Sequence, residues 1–140
     1  MQRYRFLKHT ADAKFQAFGR TLEEAFSNTA IAMVSLMWDW EKIEKREIIQ
    51  VEAEGKDLKQ LLVIFLEEAI YLLDTKNFLL SSAERVKIER RGRHYLLRAL
   101  FKGDRYSDKY KIFGNVKAIT YNEMKIKSND FFMIQVVVDI

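Results

Sequence analysis

The sequence contains no cysteine and no proline, and only five glycines among 140 residues. Without thiols there is no disulfide framework, no thiol nucleophile and no thiolate zinc site. With so little Pro and Gly nothing reads as a linker, so a single small domain over residues 1–140 is expected. Long apolar runs are missing too: Leu61–Leu66 and Val136–Val138 fall far short of the roughly 20 residues of a membrane span. No apolar run follows Met1-Gln2-Arg3-Tyr4, so no leader is expected and the chain reads as a cytoplasmic domain without membrane contact. Gly-rich phosphate loops and a nucleophile elbow around a serine are also absent, which argues against a P-loop or dinucleotide enzyme and a serine hydrolase.

What is present is apolar content, 49% of the chain, enough to bury a core and too much for a disordered segment. Net charge is +4 but unevenly distributed. Residues 1–83 carry eleven basic and thirteen acidic side chains, residues 84–140 thirteen and seven. Such asymmetry suits contact with an anionic partner, although the basic density is below that of a dedicated nucleic-acid binder.

Periodicity assigns the elements. Residues 3–8 and 13–18 alternate as strands around His9-Thr10-Ala11-Asp12. Thr21, three residues before Glu24, forms a capping box that opens a helix reaching about Trp38. Its stripe runs Leu22, Ala25, Phe26, Ala30, Met33, Leu36 and Met37. Residues 47–53 alternate as a strand, Gly55 breaks it, and Asp57 caps a second helix to about Asp74. There the apolar stripe is widened by Val63, Ile64 and Ile70, as for a helix covered on more than one side. Thereafter only strands are expected: 78–80, 85–90, 94–101, 116–121, 124–127 and 131–138, with turns at 91–93 and 128–130 and a long loop over 102–115. Turns this short force antiparallel pairing. The fold expected is α+β, two helices packed on a largely antiparallel sheet.

Candidates for chemistry are few. His9 and His94 are lone histidines, a pattern that more often serves structure than catalysis. Asp12 sits in a turn and Asp139 ends the apolar run Val136-Val137-Val138, one residue before Ile140. Should the first and last strands lie side by side, two carboxylates and the C-terminal group would converge as hard oxygens suited to Ca²⁺, Mg²⁺ or Mn²⁺. The alternative is a turn residue and a strand-end charge. The hairpin 85–93 carries five positive charges, which reads either as a solvated strand face or as a contact for RNA phosphates or an acidic protein surface. Lys117, in Val116-Lys117-Ala118-Ile119-Thr120-Tyr121, is by itself an ordinary exposed lysine of an alternating strand.

Five blocks, in order and in register, resemble the archease family, the protein cofactors of the RtcB-type tRNA-splicing ligase. They are His9-Thr10-Ala11-Asp12, Gly19-Arg20-Thr21-Leu22-Glu23-Glu24-Ala25-Phe26, Gly55-Lys56-Asp57-Leu58 with Leu61-Leu62-Val63 and Tyr71-Leu72, Val116–Tyr121, and Gln135-Val136-Val137-Val138-Asp139-Ile140. The chain departs from the family at Ala13, Ile64–Glu68, Asn122 and near Phe131, where Ile, Asn-Trp-Leu-Asn-Glu, His and Trp are common. The resemblance implies a small α+β domain that is not an enzyme. It implies promotion of ligase guanylylation and multiple turnover, with wider nucleotide use, and only indirect or weak RNA contact. It also implies a divalent-metal site on Asp12, Asp139 and Ile140, filled by calcium in structures and by manganese or magnesium in function. Lys117 and His9 become candidates for contact with the partner or a phosphate. A second role implied by the resemblance is that of a chaperone-like module for a tRNA methyltransferase.

Overall fold

The computed structural model describes residues 1–9 and 11–140. Thr10 of the His-Thr-Ala-Asp block lies outside the described residues. Among the described residues seven strands and two helices follow in the order β1 (Tyr4–Leu7), β2 (Ala13–Gly19), α1 (Leu22–Val34), β3 (Glu47–Gly55), α2 (Leu58–Lys76), β4 (Phe78–Arg91), β5 (His94–Arg105), β6 (Ala118–Ser128) and β7 (Phe132–Asp139). A 3₁₀ turn, Trp40–Lys42, lies between α1 and β3. The α+β class and antiparallel pairing are as expected, but the strands form two sheets, β1-β2-β7-β6 and β3-β5-β4. Both helices touch both sheets: α1 packs on β2, β7 and β4, and α2 on β3, β5, β4 and β6.

This arrangement explains the unusual burial of α1. A single apolar stripe predicts one covered face, yet every residue from Asn28 to Val34 is buried. The small residues Ala25, Ala30 and Ala32 let strands approach from two sides. Across the core, Phe65 of α2 meets Phe26 of α1 at 6.0 Å between ring centroids and Phe101 of β5 at 5.5 Å, within the favourable range for aromatic pairs. Trp38 is buried and donates its indole N–H to the Leu80 carbonyl at 2.9 Å, which ties the end of α1 to β4.

Both helix starts follow one design. The Glu24 amide donates to Thr21 Oγ1 (3.1 Å), and the Gln60 amide to Asp57 Oδ1 (2.8 Å). The reciprocal arms reach one residue further back than in the standard capping box. Glu24 Oε1 accepts from the Arg20 amide and Gln60 Oε1 from the Lys56 amide. α1 ends at Val34, short of Trp38, with turns beyond its Ser35 cap. α2 ends with Asn77 in the left-handed conformation, a favoured helix stop.

The later strands are longer than their sequence segments. β4 joins the predicted 78–80 and 85–90 strands across bulges at Leu80/Ser82 and Glu84/Lys87. β6 joins 116–121 and 124–127 across a bulge between Thr120 and Lys125. Bulges interrupt alternation without ending a strand, which is why the sequence suggests breaks there. The strand start at β5 holds, but β5 continues to Arg105, so the loop is confined to residues 106–117. Tyr110 anchors it: buried, it donates to Asp104 Oδ2 at 2.6 Å and accepts from the Glu44 amide at 3.2 Å. Burial, then the Asp104 carboxylate, raises the Tyr110 hydroxyl pKa, while the same hydrogen bond lowers that of Asp104.

Candidate functional site

The register of β2 on β7 decides where the carboxylates lie. Ala13 pairs with Val138, so Asp12 and Asp139 stand one residue beyond that pair on adjacent strands. The convergence therefore comes from the second and last strands. β1 is not beside β7, because β2 lies between them, so the side-by-side placement of first and last strands does not hold. β6 closes the other flank: Ala118 pairs with Asp139, and the Lys117 amide donates to the Asp139 carbonyl at 2.7 Å. Asp139 is thus held by a backbone bond immediately before Ile140.

Lys117 is exposed and precedes β6. It lines a shallow groove of about 280 Å³ with Tyr71 and Asp74 of α2. The late lysine and the last aspartate are neighbours through their backbones, while the lysine side chain lies on the α2 side.

His9 does not join the carboxylate pair. Its Nε2 lies 3.1 Å from Glu123 Oε2, and Lys14 Nζ lies 3.0 Å from Glu123 Oε1. The Lys14 hydrogen bond first, then that of His9, holds the Glu123 carboxyl below the usual carboxylate range. His9 Nδ1 is buried without a partner among the described residues. Sequence reasoning missed both Lys14 and Glu123. Lys14 was visible only as the polar alternate of a strand. Glu123 sits at φ +54° in the β6 bulge, and nothing local announces a bulge whose residues fold back over the sheet.

That bulge is fastened by a polar chain across the outer face of β1-β2-β7-β6. Arg5 donates through Nε and Nη2 to Gln16 Oε1, Gln16 Nε2 donates to Gln135 Oε1 at 2.9 Å, and Gln135 Nε2 donates to the Glu123 carbonyl at 2.8 Å. Arg5, Gln16 and Gln135 are register partners on three adjacent strands, which places their side chains on one face. Gln135, only 3% exposed, is a buried polar group with both ends satisfied.

The donors that the register brings to the ladder end, two carboxylates followed by the main chain of Ile140, are hard oxygens of the kind a divalent ion takes. No group of three or more His, Cys, Asp or Glu side chains suited to a metal occurs among the described residues. The third oxygen of the expected set is that of Ile140, which such a group does not include. Of the five cations of the basic hairpin, Arg91 pairs with Glu89 of the same strand at 3.4 Å.

Fold and site together define a small α+β protein with two aspartates, Asp12 and Asp139, brought to one strand end. No helix among the described residues is long and apolar enough to cross a membrane. The Archease protein family (MTH1598/TM1083) model matches residues 4–140. Protein archease of Pyrobaculum neutrophilum is 40% identical over 140 residues, covering 98% of this chain and 95% of the relative. Protein archease of Pyrococcus furiosus is 39% identical over 143 residues and covers both chains fully. The solution structure of Protein 1598 from Methanobacterium thermoautotrophicum superposes with a TM-score of 0.85 at 30% identity, again over the whole of both chains. The chain belongs to the archease family.

Proposed function

We propose that this protein activates an RtcB-type tRNA-splicing ligase, promoting its guanylylation and multiple turnover, and is not itself an enzyme. The observation that carries the reading is the β2–β7 register, which brings Asp12 and Asp139 to one strand end in a chain of the archease family. Asp12 and Asp139 would hold a divalent ion with a main-chain oxygen of Ile140. Such an ion, when bound, supplies positive charge to set against phosphate. The remaining roles belong to the chain's own groups. The Lys117 amide fixes the Asp139 backbone, and the Lys117 side chain meets a phosphate or a carboxylate of the partner. His9 and Lys14 hold the Glu123 carboxylate and so set the surface beside the acidic end. Exposed placement suits presentation to another protein's active site.

The test is multiple-turnover RNA ligation by the ligase of the same source, with this protein, without it, and with Asp12→Ala. Stimulation by wild type and none by the variant is expected, with stability unchanged to within about 0.5 kcal/mol, as for a surface substitution. Equal stimulation by both would keep the partner and discard the carboxylate site. No stimulation by wild type would reject the reading, and protection of a tRNA methyltransferase from aggregation would then take its place.

A further inference from the structure

We infer that a second site, remote from the acidic strand end, binds the phosphoryl group of a ribonucleotide. It is a shallow, open groove of about 520 Å³ between α1 and β4, lined by Arg3, Arg85, Glu23, Glu24, Ser27 and Asn28 among others. Arg3 is built into place from two sides. Its guanidinium lies 4.6 Å from the Trp40 ring centroid, and its Nε donates to Asn28 Oδ1 at 2.8 Å. Asn28 is 5% exposed and is itself locked by donating to the Phe18 carbonyl at 2.6 Å. With Nε engaged, the outer nitrogens of Arg3 remain as a pre-positioned fork.

Arg85 comes from the opposite wall. It stands at φ +51° in the β4 bulge between Glu84 and Lys87, a conformation costly for a side chain of its size. Bulges re-aim side chains, and this one delivers a guanidinium to the cleft. Among the described residues neither Arg3 nor Arg85 enters an ion pair, although Arg91 and Arg98 on the same sheet do. Two unpaired guanidiniums converging on one cleft are suited to a tetrahedral dianion.

The other groups narrow the class. Glu24 Oε1 is engaged by the Arg20 amide and Ser27 donates to the Ala83 carbonyl, while the Glu23 carboxylate accepts no hydrogen bond among the described residues. An acidic peptide would place further carboxylates beside Glu23. A phosphate carried on a group with O–H and N–H donors, as in a ribonucleotide, satisfies both the arginines and Glu23. The source is either a free nucleotide or an RNA strand. β4 is an edge strand whose exposed positions carry Arg85 and Lys87 side by side in the alternation before Glu89 pairs with Arg91, so a strand leaving the groove would meet Lys87 next.

The test uses the whole ¹⁵N-labelled protein in EDTA, without any ligase, so that it stands apart from the activator reading and from the acidic end. Inorganic phosphate, GMP and a short 3′-phosphorylated oligoribonucleotide are each titrated and followed by amide shifts. Saturable shifts at residues 3, 23–28 and 83–86 are expected. Arg85→Asn keeps a residue that tolerates positive φ, so the variant folds. It should weaken binding by at least about tenfold, the loss of one charge-assisted contact. Binding of the oligonucleotide alone, with a salt slope reduced by about one in the variant, identifies RNA as the source. Binding of GMP at least as tight identifies the free nucleotide. Absence of saturable shifts with all three probes, or equal binding by Arg85→Asn, overturns the proposal.

Discussion

Replacing Gln135 by Met tests whether the polar chain on the outer sheet face holds the surface beside the acidic end. The substitution keeps side-chain length and apolar stem while removing the amide. Two hydrogen bonds go: the one accepted from Gln16 and the one donated to the Glu123 carbonyl. Gln16 is only partly buried and can turn to water, so its loss costs little. Gln135 is 3% exposed, whereas Glu123 is an exposed residue, so its carbonyl keeps partial access to water when the amide is removed. Two lost hydrogen bonds at about 0.5–1 kcal/mol each give about 1–2 kcal/mol in all. For a chain of this length that corresponds to a fall in Tm of roughly 3–7 °C. Urea denaturation gives the free energy, and hydrogen exchange of residues 121–124 reports the bulge directly. Gln16→Met is the control for the bulge: it leaves the buried Gln135 Oε1 without its donor and should cost about 1–3 kcal/mol, with exchange of residues 121–124 unchanged. A loss below about 0.5 kcal/mol for Gln135→Met, or unchanged exchange in the bulge, would refute the assigned role.

Two further perturbations follow from the same geometry. Glu84 accepts from Ser82, Lys102 and Lys45, in that order of effect on its pKa apart from burial, and its carboxyl is held at about 2 against an ordinary 4.5. A depressed carboxylate stabilises the fold above the unfolded value and loses that contribution as pH falls through the folded one. Glu84→Gln should therefore be less stable at pH 7 by about 1 kcal/mol, discounted for solvent screening of a third-exposed group, with the gap closing between pH 4.5 and 2. A gap independent of pH in thermal melts would contradict this assignment. Gly103 tests the close approach of β5 to β4. A Cβ there would lie 2.0 Å from the Leu79 carbonyl oxygen, backbone against backbone, so Gly103→Ala should cost at least about 3 kcal/mol by equilibrium unfolding. A wild-type midpoint for that variant would mean that the strands are free to separate.

The sequence by itself determined whatever depends on neighbours in the chain. Thr21 and Asp57 mark helix starts because a side-chain oxygen three residues before an amide is a local geometry, and both hydrogen bonds are present. The antiparallel character of the β4–β5 and β6–β7 pairs was legible because short turns allow nothing else. Asp12, Asp139 and Ile140 could be named as a group from the family blocks, and Lys117 with them. Only the tertiary structure decided which strands stand between which. The insertion of β2 between β1 and β7, the division into two sheets and the all-round burial of α1 depend on contacts across the whole chain. Bulges escaped the sequence for a related reason. An extra residue is identified only by the partner strand it fails to match, so β4 and β6 each look like two strands. That same mismatch delivers Glu123 to His9 and Lys14. Pairs of this kind have no signature in sequence, because the residues that meet are separated by as many as 114 positions and joined only by register.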